Sequence, residues 1–418
     1  MINTFYDSYR VLMRVYGQKA YIKQAINSEI IEPINRAAVI KIVYGVVEND
    51  IYLDYVLSSL CDKRPKLPVR VILKIAIYNL HFLNKSPYAV TDSAVELLKK
   101  MGKGGVTGFA NAVLRKYISS EIKLPEDYIE NISIKYSYPE FAVKLLVDHC
   151  GKATAENIMS YRETHNYVRF NSGIDGKKYL RDNGKTFDET PFNNLFDVKN
   201  FKRGEDYDKG VYTFQSIGSV AICDIVPSGD ILLDCCAAPG GKTVLLSDKF
   251  NKVYAFELHE HRAELIEQYS ARMNKRNIEV ITADSSVYDP RFKQIADAVL
   301  CDCPCSGFGV TYENPDIKLN REYSNIKELH DNQVAILKNC SEYVKAGGYL
   351  VYSTCSVFNE ENDLTIDAFQ PEKHGFEICD IKSPLNGEKT KYGIQFLPHI
   401  SLGAGFYVCL MRKKKINR

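Results

Sequence analysis

The chain has 418 residues, 45% of them hydrophobic, and a formal net charge of +2. It is too long for one ordinary core, and its composition is that of a globular soluble protein, so two or three domains are expected. No stretch has the uncharged apolar length that spans a bilayer, and the start, MINTFYDSYRVLMRVYG, has neither a basic region nor an apolar segment with a cleavage site, so neither a membrane segment nor a signal peptide is expected.

The twelve cysteines crowd at the ends of apolar runs. In a large chain without an export signal this favours reduced thiols and a cytoplasmic location over disulfides. Cys301, Cys303 and Cys305 alternate by two and would share one face of a strand. There is no C-x2-C pair, so no metal site is expected. Charge is uneven. Residues 1–121 hold 17 Lys+Arg against 10 Asp+Glu, about +7, which leaves about −5 for the remainder. Such a front end suits a polyanion such as RNA, and equally an ordinary solvated basic face.

Residues 1–122 read as helices throughout, a small bundle. Val69, Ile72, Leu73, Ala76, Leu80 and Leu83 keep helical spacing after Pro68. Residues 35–47 and 90–101 repeat the pattern, the latter stopping at Gly102, and 108–118 form a last helix. Asn35-Arg36-Ala37 with Val43-Tyr44-Gly45-Val46, the run from Ile72 to Leu80, and Phe109-Ala110-Asn111-Ala112-Val113-Leu114-Arg115 together resemble the NusB family of RNA-binding helical domains. Asn111 and Arg115 lie one turn apart on one face. Two roles stand open for them, contact with phosphate or bracing of the bundle.

Residues 123–210 read as a small α+β connector with a possible RNA-facing surface. Leu124-Pro125 opens it, a helix over 140–149 follows Tyr136-Ser137-Tyr138-Pro139, and 167–171 is a strand. Short polar turns carry Gly173, Gly176, Gly184 and Gly204. No internal repeat is present, and the one biased segment is the basic tail Arg412–Arg418.

Residues 211–418 alternate strand and helix. Strands are expected at 231–235, 253–256, 279–282, 298–301 and 348–353. Helices are expected after Thr243, over 261–274 and over 326–345. That pattern predicts a mainly parallel, doubly wound Rossmann-like sheet. Closing antiparallel strands are expected at 376–381, 393–397 and 405–411.

Between the first strand and its helix stands Asp234-Cys235-Cys236-Ala237-Ala238-Pro239-Gly240-Gly241-Lys242-Thr243. Small residues allow close backbone approach, and a helix N-terminus offers free N–H groups. A P-loop would need glycine at position 236, which is cysteine, and G-x-G-x-x-G is absent. Glu257 ends the second strand, where an acid accepts both ribose hydroxyls. Asp284 comes after the third strand, placed for an adenine amino edge. This set suits an adenosine ligand without phosphates, and S-adenosylmethionine fits.

The fourth strand ends in Cys301-Asp302-Cys303-Pro304-Cys305-Ser306-Gly307, and the fifth in Ser353-Thr354-Cys355-Ser356. With the Asp234–Thr243 turn and Glu360-Glu361-Asn362, these motifs resemble the NOL1/NOP2/Sun family of RNA cytosine-C5 methyltransferases. Together with the NusB-like front end, the chain resembles the bacterial members that act on 16S ribosomal RNA. The resemblance implies that Cys355 is the nucleophile and that Cys305 assists product release. It implies that Cys236, Ala237, Ala238, Pro239, Gly240, Gly241 and Lys242, with Glu257, Asp284 and Asp302, hold S-adenosylmethionine. It implies as substrate a single-stranded or flipped cytosine in 16S ribosomal RNA, with no membrane and no obligate protein partner. Thiolate addition to carbon 6 makes carbon 5 enamine-like, and a protonated Asp302 would serve nitrogen 3. Two departures stand out. Gln215 is followed by Ser216 where the family usually has Gln-Asp, and Ala404-Gly405-Phe406-Tyr407 replaces Asp-Gly-Phe-Phe.

Two rival enzymes are disfavoured. An exocyclic-amine methyltransferase would want Pro-Pro after Asp302, and a Pro-Cys nucleophile at Cys305 leaves the Cys355 motif unused. The rival of another class is an inert methyltransferase fold that only binds RNA during ribosome assembly.

Overall fold

Pro33 opens the helix Pro33–Glu48, Pro87 opens Pro87–Lys100, and Pro68 is second in Leu67–His81. The ring presets φ for a first turn, where its missing N–H is not needed. These helices belong to a computed structural model that describes residues 2–415. Met1 and the last three residues of the basic tail, 416–418, lie outside the described residues. The chain divides into two compact units, Met1–Ser160 with Thr311–Arg321, and Tyr161–Val310 with Glu322–Arg418. The stretch 123–210, expected as a connector, is thus shared between them.

The first unit is helical. Leu67–His81 runs through its core, with Val69 and Val71 through Asn79 buried. Lys74 lies within that stretch, 2% exposed, and pairs with Asp50 and Asp54. A buried ammonium is tolerable only with such partners. Gly45 lets Pro33–Glu48 close on this helix, since a Cβ there would lie 2.0 Å from the Tyr78 ring. The helix expected over 140–149 runs as Glu140–Ser160, interrupted at Gly151, whose φ of 77° and ψ of 165° are not helical. Thr311–Arg321 also packs in this unit. Asp316 accepts from Ile22 N at 3.0 Å, at the start of helix Ile22–Asn27, and Lys318 donates to Glu48 O at 2.7 Å.

The second unit carries two sheets. The smaller is antiparallel, in the order Asp188–Glu189, Leu195–Asp197, Tyr167–Phe170, Tyr212–Phe214. The turn expected at Gly176 is instead the start of a helix, Gly176–Asp182, because Asp175 caps it by accepting from Lys178 N at 2.9 Å.

In the larger sheet, Ile278–Thr282, Phe250–Glu257, Gly229–Asp234, Ala296–Asp302 and Val344–Thr354 run parallel in that spatial order. Phe406–Lys413 comes next and is antiparallel, with Phe376–Ile378 and Ile394–Phe396 paired to it. Helices Gly241–Leu246, Glu260–Arg272 and Tyr323–Ser341 lie in the connections. This is the expected Rossmann-like, mainly parallel sheet. The chain leaves Gly229–Asp234 toward one edge and later returns to its other side as Ala296–Asp302. Strand order therefore reverses there, and ligands of such sheets collect beyond the carboxyl ends at that point. Among the described residues no helix is long and apolar enough to cross a membrane.

Candidate active site

Asp234 is the last residue of the central strand and is buried. Thr243 donates to its Oδ2 at 2.7 Å. Its Oδ1 is buried without a well-formed hydrogen bond, the Cys236 N–H acting on the carboxylate only weakly. Burial pushes this acid up to about 7. The Cys236–Lys242 turn then winds back on itself, Gly240 N donating to Ala237 O at 2.7 Å. Gly240 has φ 98°, and a Cβ there would meet Ile266 Cα at 3.2 Å, so this position requires glycine. Gln215 Nε2 braces the turn through Gly241 O at 3.1 Å, and its Oε1 accepts from Arg169 at 2.6 Å.

Glu257 ends the next strand, 5% exposed, with Arg262 at 3.4 Å and His259 N donating at 3.2 Å. Asp284 stands two residues past the third parallel strand, exposed, and accepts from Ser286 N at 2.8 Å. The turn and the two acids thus occupy the ends of three adjacent strands. A buried acceptor short of a donor, a bare glycine backbone and a buried strand-end carboxylate fit an adenosine-bearing cation such as S-adenosylmethionine.

Asp302 ends Ala296–Asp302 and pairs in register with Ser353. Ser353 Oγ donates to Asp302 Oδ1 at 2.7 Å, and Lys242 Nζ lies 2.5 Å from Oδ2. Both oxygens therefore accept in this arrangement. The hydrogen-bond donor beside the acid is Lys242. Burial pulls the lysine down, but the Asp302 carboxylate outweighs it and holds the ammonium well above its ordinary range.

Cys305 and Cys355 come together at Sγ–Sγ 3.0 Å, both half-buried, and Cys355 N donates to Cys305 Sγ at 3.2 Å. The hydrogen bond to Cys355, then burial, raises the Cys305 thiol, and either sulfur can be the donor of the pair. The three alternating cysteines do not act as one face, because the backbone turns after Asp302. Cys303 meets Cys236 instead, and Cys301 meets Cys235 and Cys340, three buried sulfurs within 4.8 Å of one another. Hydrogen bonds from those two thiols lower Cys301 to about 5.

The two sequence departures have structural replacements. Ser216 caps the helix Ile217–Ile225 by accepting from Ser219 N, as an aspartate would. Ala404 is buried, Gly405 backs directly on Gly309, and Tyr407 Oη donates to Asp363 at 2.6 Å.

The sequence scans as two known families. Residues 225–412 match the family described as 16S rRNA methyltransferase RsmB/F, and residues 8–119 match the NusB family. A probable ribosomal RNA small subunit methyltransferase B of Bacillus subtilis (strain 168) is 32% identical, covering 96% of this chain and 97% of its own length. The chain belongs to the ribosomal RNA small subunit methyltransferase B family. A second member, from Synechocystis sp. (strain PCC 6803), is 27% identical over 94% of each chain. A solved methyltransferase homolog from Pyrococcus horikoshii has the same fold, with TM-score 0.60, 23% identity, 69% of this chain and all of that one covered. The methyl donor of this methyltransferase family is S-adenosylmethionine.

Asp234, Lys242 as partner of Asp302, Ser353 and Arg262 take part in this geometry without having been assigned those places from sequence. Asp234 carried a signal, as a lone acid closing an apolar strand. The partnerships of Asp302 with Ser353 and Lys242 carried none, since they join residues 51 and 60 positions apart.

Proposed function

We propose that this enzyme transfers a methyl group from S-adenosylmethionine to carbon 5 of one cytosine in 16S ribosomal RNA, by way of a covalent bond between Cys355 and the base. The 3.0 Å approach of the Cys305 and Cys355 sulfurs, beyond the ends of two paired strands, is the observation that carries this reading. In this reading the Cys355 sulfur adds to carbon 6, and covalent addition divides one hard substitution into easier steps. Lys242 and Asp302 present a donor beside an acceptor. That pair complements the acceptor nitrogen 3 and the donor amino group of cytosine.

Residues 236–242 with Glu257 and Asp284 are the proposed cofactor contacts. When bound, S-adenosylmethionine supplies an electrophilic methyl group. A water held by Cys305, or Cys305 itself once its own thiol proton has passed to solvent, takes the proton from carbon 5, and Cys355 then leaves. A base inside a duplex cannot reach two thiols at strand ends, so the target is single-stranded or flipped. The basic residues 1–121 supply sequence-independent affinity for the RNA. Mapping 5-methylcytosine in 16S RNA from cells with and without the gene tests the proposal. An unchanged map would reject it.

A further inference from the structure

Glu361 has no part in the roles assigned so far, yet it is 0% exposed and deeply hydrogen-bonded. Its Oε2 accepts from Ser306 Oγ and Ser356 Oγ, both at 2.5 Å. Its Oε1 accepts from Ser306 N at 2.7 Å and Gln333 Nε2 at 3.2 Å. Ser306 is next to Cys305 in the chain, and Ser356 is next to Cys355. One carboxylate therefore grips the residue after each thiol, and the two hydroxyls are themselves 3.2 Å apart.

The residues before the thiols are held as well. Gln333 Nε2 donates to Pro304 O at 2.9 Å, and Thr354 Oγ1 donates to Asn362 Oδ1 at 2.6 Å. We infer that Glu361 is a positioning residue, a buried clamp that sets the separation of Cys305 and Cys355.

A carboxylate with no exposure is costly unless its lone pairs are filled. Burial raises this acid, and the serine and glutamine bonds oppose the rise. Two hydroxyl donors on one oxygen, one from each cysteine-bearing loop, hold together segments 50 residues apart in sequence. Reacting groups misplaced by about 1 Å lose about a hundredfold in rate. The clamp is therefore expected to act on turnover more than on binding.

The inference rests on the proposed roles of the two thiols, and its test separates the two ideas. The probe is diamide, a mild oxidant. It takes two protons and two electrons from the Cys305–Cys355 pair to leave a disulfide and a reduced hydrazine. Intact mass and peptide mapping follow that bond in the full-length wild type, Glu361→Gln and Ser356→Ala, while kcat and KM are measured on the reduced proteins. Ser356→Ala removes one spoke and serves if Glu361→Gln does not fold.

We expect cross-linking to slow at least about fivefold and kcat to fall about a hundredfold, with KM for RNA and cofactor within about twofold of wild type. Cross-linking at the wild-type rate in both variants would overturn the clamp, whatever happens to kcat. Slowed cross-linking with unchanged kcat would keep the clamp and overturn the reading of these thiols as the reacting pair.

Discussion

Lys242 Nζ lies 2.5 Å from Asp302 Oδ2, joining the first turn of the sheet to the end of its fourth strand. The lysine also lies over the Phe406 ring, 5.6 Å from its centroid, so its place is fixed from two sides. Preorganised charge beside a reacting base typically contributes about a hundredfold or more in rate. Lys242→Met keeps the stem and removes the charge. It is expected to lower kcat about a hundredfold in a radiolabelled methyl-transfer assay. Activity within about threefold of wild type would show that the pair does not face the reaction.

Asp234 sets a pH dependence of stability. Burial pushes its carboxyl up to about 7, the Thr243 hydrogen bond and Lys242 opposing and Asp302 adding. The unfolded chain releases this proton near 3.8, whereas the folded chain keeps it to about 7. Between those values the folded state binds more protons, so this group's contribution to stability falls as pH rises and is level above about 7. Asp234→Asn removes that fall, and its amide oxygen still accepts from Thr243. Relative to wild type the variant should be equally stable near pH 4 and more stable at pH 8, by up to about 4 kcal/mol. Urea unfolding at both pH values measures the difference. A gap that does not widen with pH would place the Asp234 titration elsewhere.

Glu257→Ala should weaken S-adenosylmethionine binding about tenfold or more, the worth of hydrogen bonds to a charged acceptor, and leave RNA binding nearly intact. Arg262 is the control, since it pairs with Glu257 at 3.4 Å but is half exposed itself. Arg262→Ala should change cofactor affinity far less. Calorimetric titration reads both. Equal losses would mean that the ion pair, not the acid, holds the ligand.

Local pattern made much of this molecule legible. Helical periodicity and the prolines at helix starts pointed to the bundle, and strand-end acids pointed to the candidate site at the reversal of strand order. The features that stayed hidden depend on partners far away in sequence. Thr311–Arg321 comes directly after the thiol-bearing loop, yet packs in the helical unit because Asp316 and Lys318 find Ile22 and Glu48 there. Val344–Thr354 begins four residues before its expected start at 348, because Val344 already pairs with Ala296 across a register shift. Gly176 has the look of a turn residue, and only the Asp175 cap makes it the first residue of the helix Gly176–Asp182. Glu361 stands within the Glu360-Glu361-Asn362 motif, but its role needs Ser306 and Ser356 side by side, which only the folded sheet provides.

The two cysteines should fail differently. Cys355→Ala removes the sulfur proposed to add to carbon 6, so methyl transfer and any covalent RNA adduct should both be lost. Cys305→Ala leaves Cys355 able to attack, and methylation can proceed. Without help in removing the carbon 5 proton the enzyme stays bonded to the base. This variant should accumulate a protein–RNA species that survives denaturing electrophoresis, and it should turn over poorly. The asymmetry comes from a nucleophile and a release group acting at opposite ends of one covalent cycle. Both variants are run with target RNA and cofactor on one denaturing gel. An adduct in Cys355→Ala and none in Cys305→Ala would reverse the assignment and make Cys305 the nucleophile.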